Sequence, residues 1–169
     1  VRQPKAAVAA HLVAVLGMTG LRRSELARSK VSHWNLAACT VHVLGKRGER
    51  TVPFSPELLP SVNYLIAELG DVGPSNPDSI SRRLQTWARR IGDDRLHPHA
   101  LRHTYGTALV RQGLDVFSVM ALMGHRTPPQ TQRYFPAAGQ QLREAASTGE
   151  RRGGTECRSR GSPYHLKQK

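Results

Sequence analysis

The sequence of 169 residues predicts a mainly α-helical α+β domain with a small antiparallel sheet. Two observations carry this prediction. Apolar residues recur at helical spacing on both sides of a central region, and that region, residues 31–54, contains short β-prone runs. The 38% content of hydrophobic residues is sufficient for one modest core. We therefore expect one folded domain over residues 1–146, and a disordered basic tail over residues 147–169, which are almost without apolar side chains.

The first part of the chain predicts two helices. Pro4 suits the first turn of a helix that we expect to end at Leu16, because Gly17 and Gly20 follow and interrupt it. A second, short helix begins near Ser24.

The central region predicts the sheet. The run HWNL at residues 33–36 is followed by TVHVL at residues 40–44 and RTVPF at residues 50–54. The last two runs are separated by the turn-like stretch GKRGE, which places Lys46 at a hairpin.

Helical spacing then returns in two amphipathic segments. Their apolar positions are Val62, Leu65, Ile66 and Leu69 in the first, and Leu84, Trp87, Ala88 and Ile91 in the second. Each segment predicts a helix with one buried face, and the stretch GDVGPSNPDS between them predicts a loop.

The last helices are predicted from their ends. Pro98 opens a helix that stops before Gly113, and the stretch DVFSVMALMG predicts a short helix after it. Thr127 and Pro128 start another helix, and residues 140–146 suit a final one. The Pro98 helix carries an apolar stripe formed by Leu101, Tyr105, Ala108 and Leu109.

The charge of the chain indicates a polyanionic partner. There are 25 Lys and Arg against 12 Asp and Glu, a net charge of +13, and residues 1–146 alone hold 19 basic and 10 acidic side chains. Nucleic acid is favoured over an anionic membrane because the sequence contains no long basic amphipathic helix. The alternative is a basic surface that is only solvated.

Other protein classes are excluded by composition. Cys39 and Cys157 form neither a disulfide framework nor a CxxC metal site, so a reducing compartment is expected. The apolar run of residues 6–18 is similar to a signal peptide, but His11 interrupts it, no cleavage site follows, and it is too short to span a bilayer. A start at Val1 favours a chain cut from something longer.

The stretch HPHALRHTYGTAL, residues 97–109, concentrates polar chemistry on one helix. His99, Arg102 and His103 project from nearly the same side. Zinc binding through these histidines and His97 is one alternative, but the cationic Arg102 between them opposes a divalent ion. A purely structural role is another. A guanidinium with neighbouring imidazoles is better suited to binding a phosphodiester.

Five stretches of the sequence, in order, resemble the motifs of the tyrosine recombinases, or phage integrases, with a Xer-like catalytic domain. The resemblance covers residues 6–136 and is more specific than any single motif. The stretches are TGLRRSEL (19–26), GKRGERTVP (45–53), HPHALRHTYGTAL (97–109), LMGH (122–125) and TQRYF (131–135).

The resemblance implies roles for residues that contact DNA phosphate. Arg22 and Arg102 resemble the two active-site arginines that clamp the scissile phosphate. Lys46 resembles the lysine that protonates the leaving 5′ oxygen. Glu25 resembles a partner of the arginine pocket, and His103 is expected to support the site without contacting the phosphate.

The nucleophile and its activating groups follow from the same resemblance. Tyr134 matches the nucleophile, His99 matches the histidine that assists proton transfer at it, and His125 matches the group that hydrogen-bonds the phosphate. Tyrosine has an ordinary pKa near 10, so its activation needs a cationic pocket and a nearby base. His99 or His125 is the expected base.

The resemblance therefore implies the tyrosine recombinase fold, with a three-stranded sheet, and a site-specific DNA recombinase that forms a 3′-phosphotyrosine intermediate. It implies double-stranded DNA as partner, no metal or other cofactor, no membrane, no small-molecule substrate, and a homo-oligomer, a tetramer, on DNA in the cytoplasm at the nucleoid. The alternative is a noncatalytic DNA-binding remnant. We expect a shortened catalytic domain, without the N-terminal DNA-binding domain and with a thinner scaffold near GDVGPSNPDS.

Overall fold

The structure, a computed structural model, describes residues 5–45 and 48–135. It confirms the predicted fold class, because the described residues form mainly helices together with one small antiparallel sheet. The helices are α1 (Lys5–Thr19), α2 (Arg23–Ala27), α3 (Leu59–Leu69), α4 (Pro77–Ile91), α5 (Pro98–Arg111), α6 (Val116–Met123) and α7 (Pro128–Gln132). The strands are β1 (Trp34–Asn35), β2 (Thr40–Gly45) and β3 (Gly48–Pro53), and 3-10 turns occupy Val31–His33 and Pro56–Leu58.

Helix α1 lies at the centre of the larger apolar core. It packs against α3, α4 and α5, and its side chains Leu12, Val15 and Leu16 are fully buried. A second, smaller core joins the end of α5 to α6 and to the segment after α7, through Leu109, Val119, Met123 and Tyr134. The candidate nucleophile Tyr134 is therefore part of a packed cluster and not of an open loop.

The sheet has the order β1-β2-β3, and both strand pairs are antiparallel. The β2–β3 register runs from the Thr40–Pro53 pair to the Gly45–Gly48 pair. Val41, Val43 and Val52 are buried, so one face of the sheet covers the larger core. Lys46 lies in sequence between β2 and β3, and residues 46 and 47 are outside the described part of the chain.

The predicted end of α1 at Leu16 is wrong, because the helix continues through Gly17 to Thr19. A Cβ at Gly17 would lie 3.9 Å from Leu101 on α5, which is ordinary packing distance. The break comes at Gly20, which has φ +62°, and a Cβ there would lie 2.1 Å from the ring of Tyr105. Only glycine permits both that backbone conformation and that close approach.

Two predicted helical faces also need correction. Ile91 is 52% exposed, because the buried line of α4 is Ile80, Leu84 and Ala88, and Ile91 belongs to its final turn. On α5, Ala108 is exposed, whereas Arg102 is buried. The predicted apolar stripe of α5 did not include Arg102, and the hydrogen bonds described below explain its burial.

The loop of residues 70–76 is anchored to the segment after α2. Val72 is fully buried, and the Gly73 amide donates to the Ser29 carbonyl at 3.1 Å. The Val31 amide donates to Asp71 Oδ1 at 2.8 Å. These contacts hold the loop in the stretch GDVGPSNPDS, where the sequence predicts a thinner scaffold.

The helix predicted at residues 140–146 and the tail of residues 147–169 lie outside the described residues, so the domain boundary at residue 146 stays a prediction. Within residues 5–45 and 48–135, every helix is too short or too polar to cross a lipid bilayer.

Candidate active site

A cleft of about 570 Å³ brings together most of the residues that the sequence nominates. It lies between the start of α2, the end of the β2–β3 ladder, α5, the end of α6 and the segment after α7. The nominated residues that line it are Arg22, Glu25, His99, Arg102, His125 and Tyr134. Lys46 lies outside the described residues, but Gly45 and Gly48 on either side of it in sequence also line the cleft.

Arg22 is held at the start of α2 by Glu25, one turn later. The Arg22 amide donates to Glu25 Oε2 at 2.7 Å, and its Nη1 donates to Glu25 Oε1 at 2.8 Å. The Arg22 Nη2 donates to the Gly124 carbonyl at 2.8 Å. The side chain remains 37% exposed, so a guanidinium with a defined orientation faces the cleft.

Glu25 is buried and shared between two arginines. Arg50 on β3 donates from Nη1 to Oε1 at 3.0 Å and from Nη2 to Oε2 at 2.9 Å. Burial raises the pKa of Glu25, but hydrogen bonds from Arg50 and Arg22 outweigh it and lower the pKa to about 2. Glu25 is therefore a carboxylate throughout the physiological pH range.

Arg102 is buried and donates to two carbonyl groups. Its Nη1 donates to Gly20 O at 2.5 Å, and its Nη2 donates to Met123 O. Burial, with the nearby positive charge of Arg22, lowers the pKa of Arg102 to about 10. The guanidinium is still cationic at neutral pH. The two carbonyl groups determine the orientation of its plane.

Three successive carbonyl groups at the end of α6 accept from three different arginines. Arg50 Nε donates to Leu122 O at 2.8 Å, Arg102 donates to Met123 O, and Arg22 donates to Gly124 O. The carboxyl end of a helix carries partial negative charge, which stabilises nearby cations. The end of α6 therefore brings β3, α5 and α2 together at the cleft.

His125 follows directly after this helix end. Its Nδ1 shares a hydrogen bond of 2.8 Å with the hydroxyl of Thr131, a fully buried residue of α7. Burial and the charges of Arg102 and Arg22 lower the pKa of His125 to about 4. The imidazole is therefore neutral at neutral pH.

Tyr134 is only 6% exposed, and its ring is enclosed by residues of the site. The ring of His125 lies parallel to it with centroids 6.0 Å apart, and the ring of His103 meets its edge at 5.1 Å. A Cβ at Gly106 would lie 2.9 Å from Tyr134 Cζ, so the phenol rests directly on the backbone of α5. The structure thus places Tyr134 in a defined position beside His125.

The three histidines at the start of α5, one before the helix and two within it, differ in their surroundings. His97 directly precedes α5 and caps it by accepting from the Ala100 amide at 3.2 Å. His99 is exposed at the cleft, and partial burial together with the charge of Arg133 lowers its pKa. His103 contacts the Tyr134 ring and lies near the hydroxyl of Thr107. Within the described residues, no group of three His, Cys, Asp or Glu side chains could hold a metal ion.

Sequence reasoning missed Arg50, although the motif that contains it was identified. A signal was present, because Arg50 and Val52 are two residues apart on β3 and their side chains leave the same face of the sheet. Val52 is buried and the Arg50 side chain is 11% exposed. Arg28, Arg126 and Arg133 also line the cleft and were not nominated.

The charge on Glu25 predicts a pH-dependent contribution to stability. A native pKa near 2, against 4.5 for the free side chain, gives about 3 kcal/mol above pH 4.5, which is lost as the pH falls from 4.5 towards 2. Glu25→Gln should therefore unfold at lower urea concentration at pH 7, and its deficit should shrink by about 2 kcal/mol at pH 3. The exposed Glu68→Gln serves as control, and a deficit for Glu25→Gln that is equal at both pH values would contradict the assignment.

Comparison with known proteins gives a family match over most of the chain. The profile of the phage integrase family matches residues 2–141. Tyrosine recombinase XerC of Staphylococcus epidermidis is 34% identical over an alignment of 151 residues that covers 79% of this chain and 50% of XerC. The chain thus spans about half the length of the curated relatives it matches.

Solved structures show the same fold. The XerA recombinase superposes with a TM-score of 0.67 at 24% identity, over 84% of this chain and 62% of XerA. The XerH site-specific recombinase in its complex with difH substrate gives 0.68 at 21% identity, over 87% of this chain and 48% of XerH. With an ordered set of motifs, a shared fold and a family profile that covers most of its length, the chain belongs to the phage integrase family, the tyrosine recombinases.

Proposed function

We propose that the chain is the catalytic domain of a site-specific DNA recombinase, which cleaves and rejoins strands through a 3′-phosphotyrosine intermediate. One observation carries the proposal: Arg22, Arg102, His125 and Tyr134 converge on one cleft. The relatives named tyrosine recombinase XerC, and the XerH structure with a DNA substrate, support it.

The two arginines bind the scissile phosphate of double-stranded DNA. A guanidinium offers a rigid fork of donors to the non-bridging oxygens, and carbonyl groups of the protein orient both forks. Negative charge accumulates on these oxygens in the pentacoordinate state. Donors that are already in place stabilise that state more than the ground state.

Cleavage transfers the phosphoryl group to Tyr134. The phenolic oxygen forms a bond to phosphorus and the bond to the 5′ oxygen breaks, while the phenolic proton passes to His99 and Lys46 protonates the leaving oxygen. An incoming 5′ hydroxyl reverses these steps and rejoins the strand. The phosphotyrosyl ester retains the energy of the original bond, so the reaction as proposed needs neither ATP nor a metal ion.

His125 positions the phosphate and the nucleophile. Its Nδ1 is engaged with Thr131, which leaves Nε2 to contact a phosphate oxygen. The low pKa of His125 keeps the ring neutral, so one ring nitrogen carries a hydrogen and the other can accept. Its parallel contact with the Tyr134 ring aligns that phenol with the bound phosphate.

We further propose that the protein acts as a homo-oligomer, a tetramer, on DNA in the cytoplasm at the nucleoid. Recombination joins strands from two duplexes, and each duplex is cleaved at two positions, which calls for four such sites. The net charge of +13 favours association with DNA.

The test is covalent capture. The chain is incubated with a pool of randomised duplexes that are nicked beside every possible cleavage position, so that the short 5′-hydroxyl fragment diffuses away after cleavage. We expect an adduct that survives denaturant, and the label on the 5′ end of the cleaved strand should stay with the protein.

Two other results would argue against the proposal. Salt-sensitive binding with a log–log slope near −0.9 per phosphate contacted, but no adduct with any duplex, would indicate a noncatalytic DNA-binding remnant. An adduct that retains the 3′ fragment instead would indicate the opposite polarity of cleavage.

A further inference from the structure

Arg50 is the most highly connected side chain of the cleft that has no assigned role. It projects from β3 on the same face as the buried Val52, and its side chain is 11% exposed. Arginine is rarely buried unless its charge is paired. Arg50 is paired, because each of its three guanidinium nitrogens donates a hydrogen bond to an oxygen atom of Glu25 or Leu122.

These three hydrogen bonds join separate parts of the site. The Nη1 and Nη2 atoms take both oxygens of Glu25 in a bidentate pair, and Nε donates to Leu122 O at 2.8 Å. Glu25 in turn holds the backbone and side chain of Arg22. Leu122 lies in the last turn of α6, which leads directly into His125.

This geometry separates Arg50 from Arg22, the more exposed of the two arginines proposed to bind the phosphate. Arg22 keeps a side chain that is 37% exposed and is free to meet a ligand, whereas the Arg50 fork is aimed at protein acceptors. A bidentate guanidinium–carboxylate pair is also directional, so Arg50 orients the Glu25 carboxylate as well as stabilising its negative charge. Without the Arg50 side chain, the buried Glu25 carboxylate would keep hydrogen bonds from Arg22 alone.

We propose that Arg50 is a positioning residue for DNA cleavage: through Glu25 it orients Arg22, and through Leu122 it fixes the loop that carries His125 against the β2–β3 strands. The inference rests on the recombinase function proposed above. It adds that the strand pair on either side of Lys46 is tied through one side chain to the groups that bind the phosphate.

The first measurement is the rate of adduct formation on the captured duplex, at saturating duplex concentration. A small misplacement of catalytic groups costs about 10²-fold in rate, and we expect a loss of that size in Arg50→Gln. The affinity for an intact duplex should change only a few-fold, because Arg50 does not contact phosphate. Arg50→Lys should rescue little, since a lysine has no planar fork. The exposed Arg111→Gln is the control for the lost charge.

The second measurement is a double-mutant cycle. Arg50→Gln leaves the Glu25 charge without its bidentate partner, and Glu25→Gln removes that charge. The loss of rate in the double variant should therefore be clearly smaller than the product of the two single losses. Independent, multiplicative losses would overturn the proposal, as would a wild-type rate in Arg50→Gln or equal losses of rate and of affinity.

A third measurement does not depend on activity. The amides of Gly124 and His125 donate to carbonyls of α6, so their hydrogen exchange reports on the end of that helix. Exchange should be faster in Arg50→Gln than in Arg111→Gln, and equal exchange would overturn the proposal. If the wild-type chain forms no adduct with any duplex, the recombinase function fails, and the exchange data alone decide the role of Arg50.

Discussion

Tyr134→Phe should abolish the covalent adduct and leave the folded protein nearly unchanged. The substitution removes only the phenolic oxygen that we propose attacks phosphorus, so we expect a loss of about 10⁴-fold or more in adduct formation. The ring is retained, and its contacts with Gly106, His103 and His125 involve ring atoms. We therefore expect a stability change below about 1 kcal/mol and an unchanged affinity for intact duplex.

The control for this experiment is Tyr64→Phe. Tyr64 lies on α3, outside the cleft, and its buried hydroxyl makes no hydrogen bond within the described residues. Its removal should leave the adduct as it is and should not lower the stability, because a buried hydroxyl without a partner is itself unfavourable. An adduct of normal yield in Tyr134→Phe would move the nucleophile to another side chain, and a large loss of stability would show that the phenolic oxygen supports the fold.

The sequence allowed the cleft to be predicted because its motifs are local. Each motif lies within a few residues, so each could be recognised without knowledge of the fold. The motifs are Arg22 with Glu25, His99 with Arg102, and Gly124 with His125. Their order along the chain then implied a family, and the family implied that they meet. The spacing of apolar residues predicted the helices, and short β-prone runs predicted the strands, on which these motifs lie.

The contacts that orient these residues could not be predicted, because they join distant parts of the chain. Arg50 meets Glu25 across 25 positions and Leu122 across 72. The predicted apolar stripe of α5 did not include Arg102, whereas its guanidinium is buried and donates to two carbonyl groups. A pattern of apolar residues carries no information about backbone acceptors, which every residue possesses.

The end of α6 explains why such contacts matter for chemistry. Its last carbonyl groups have no partner within the helix, as at any helix terminus. Here arginines from β3, α5 and α2 supply the donors. The same hydrogen bonds satisfy the helix end and orient Arg22 and Arg102, the two groups proposed to bind the phosphate, so stability and preorganisation have one structural source.

Arg102→Lys should therefore lose both rate and stability while it keeps the positive charge. A lysine offers three donors from one nitrogen atom and cannot reach Gly20 O and Met123 O and also present a fork to the phosphate. Loss of one such donor set costs about 10² to 10³ in rate, and a buried carbonyl left without a donor costs about 1 to 3 kcal/mol.

Arg111→Lys, the same replacement at an exposed position of α5, should change neither quantity. Adduct formation and urea unfolding are measured on both variants. A normal rate in Arg102→Lys, with its stability lowered, would show that charge alone satisfies the phosphate and that the carbonyl contacts serve the fold only. A normal stability with a low rate would show the reverse. Both losses together are expected because one planar group makes both sets of hydrogen bonds.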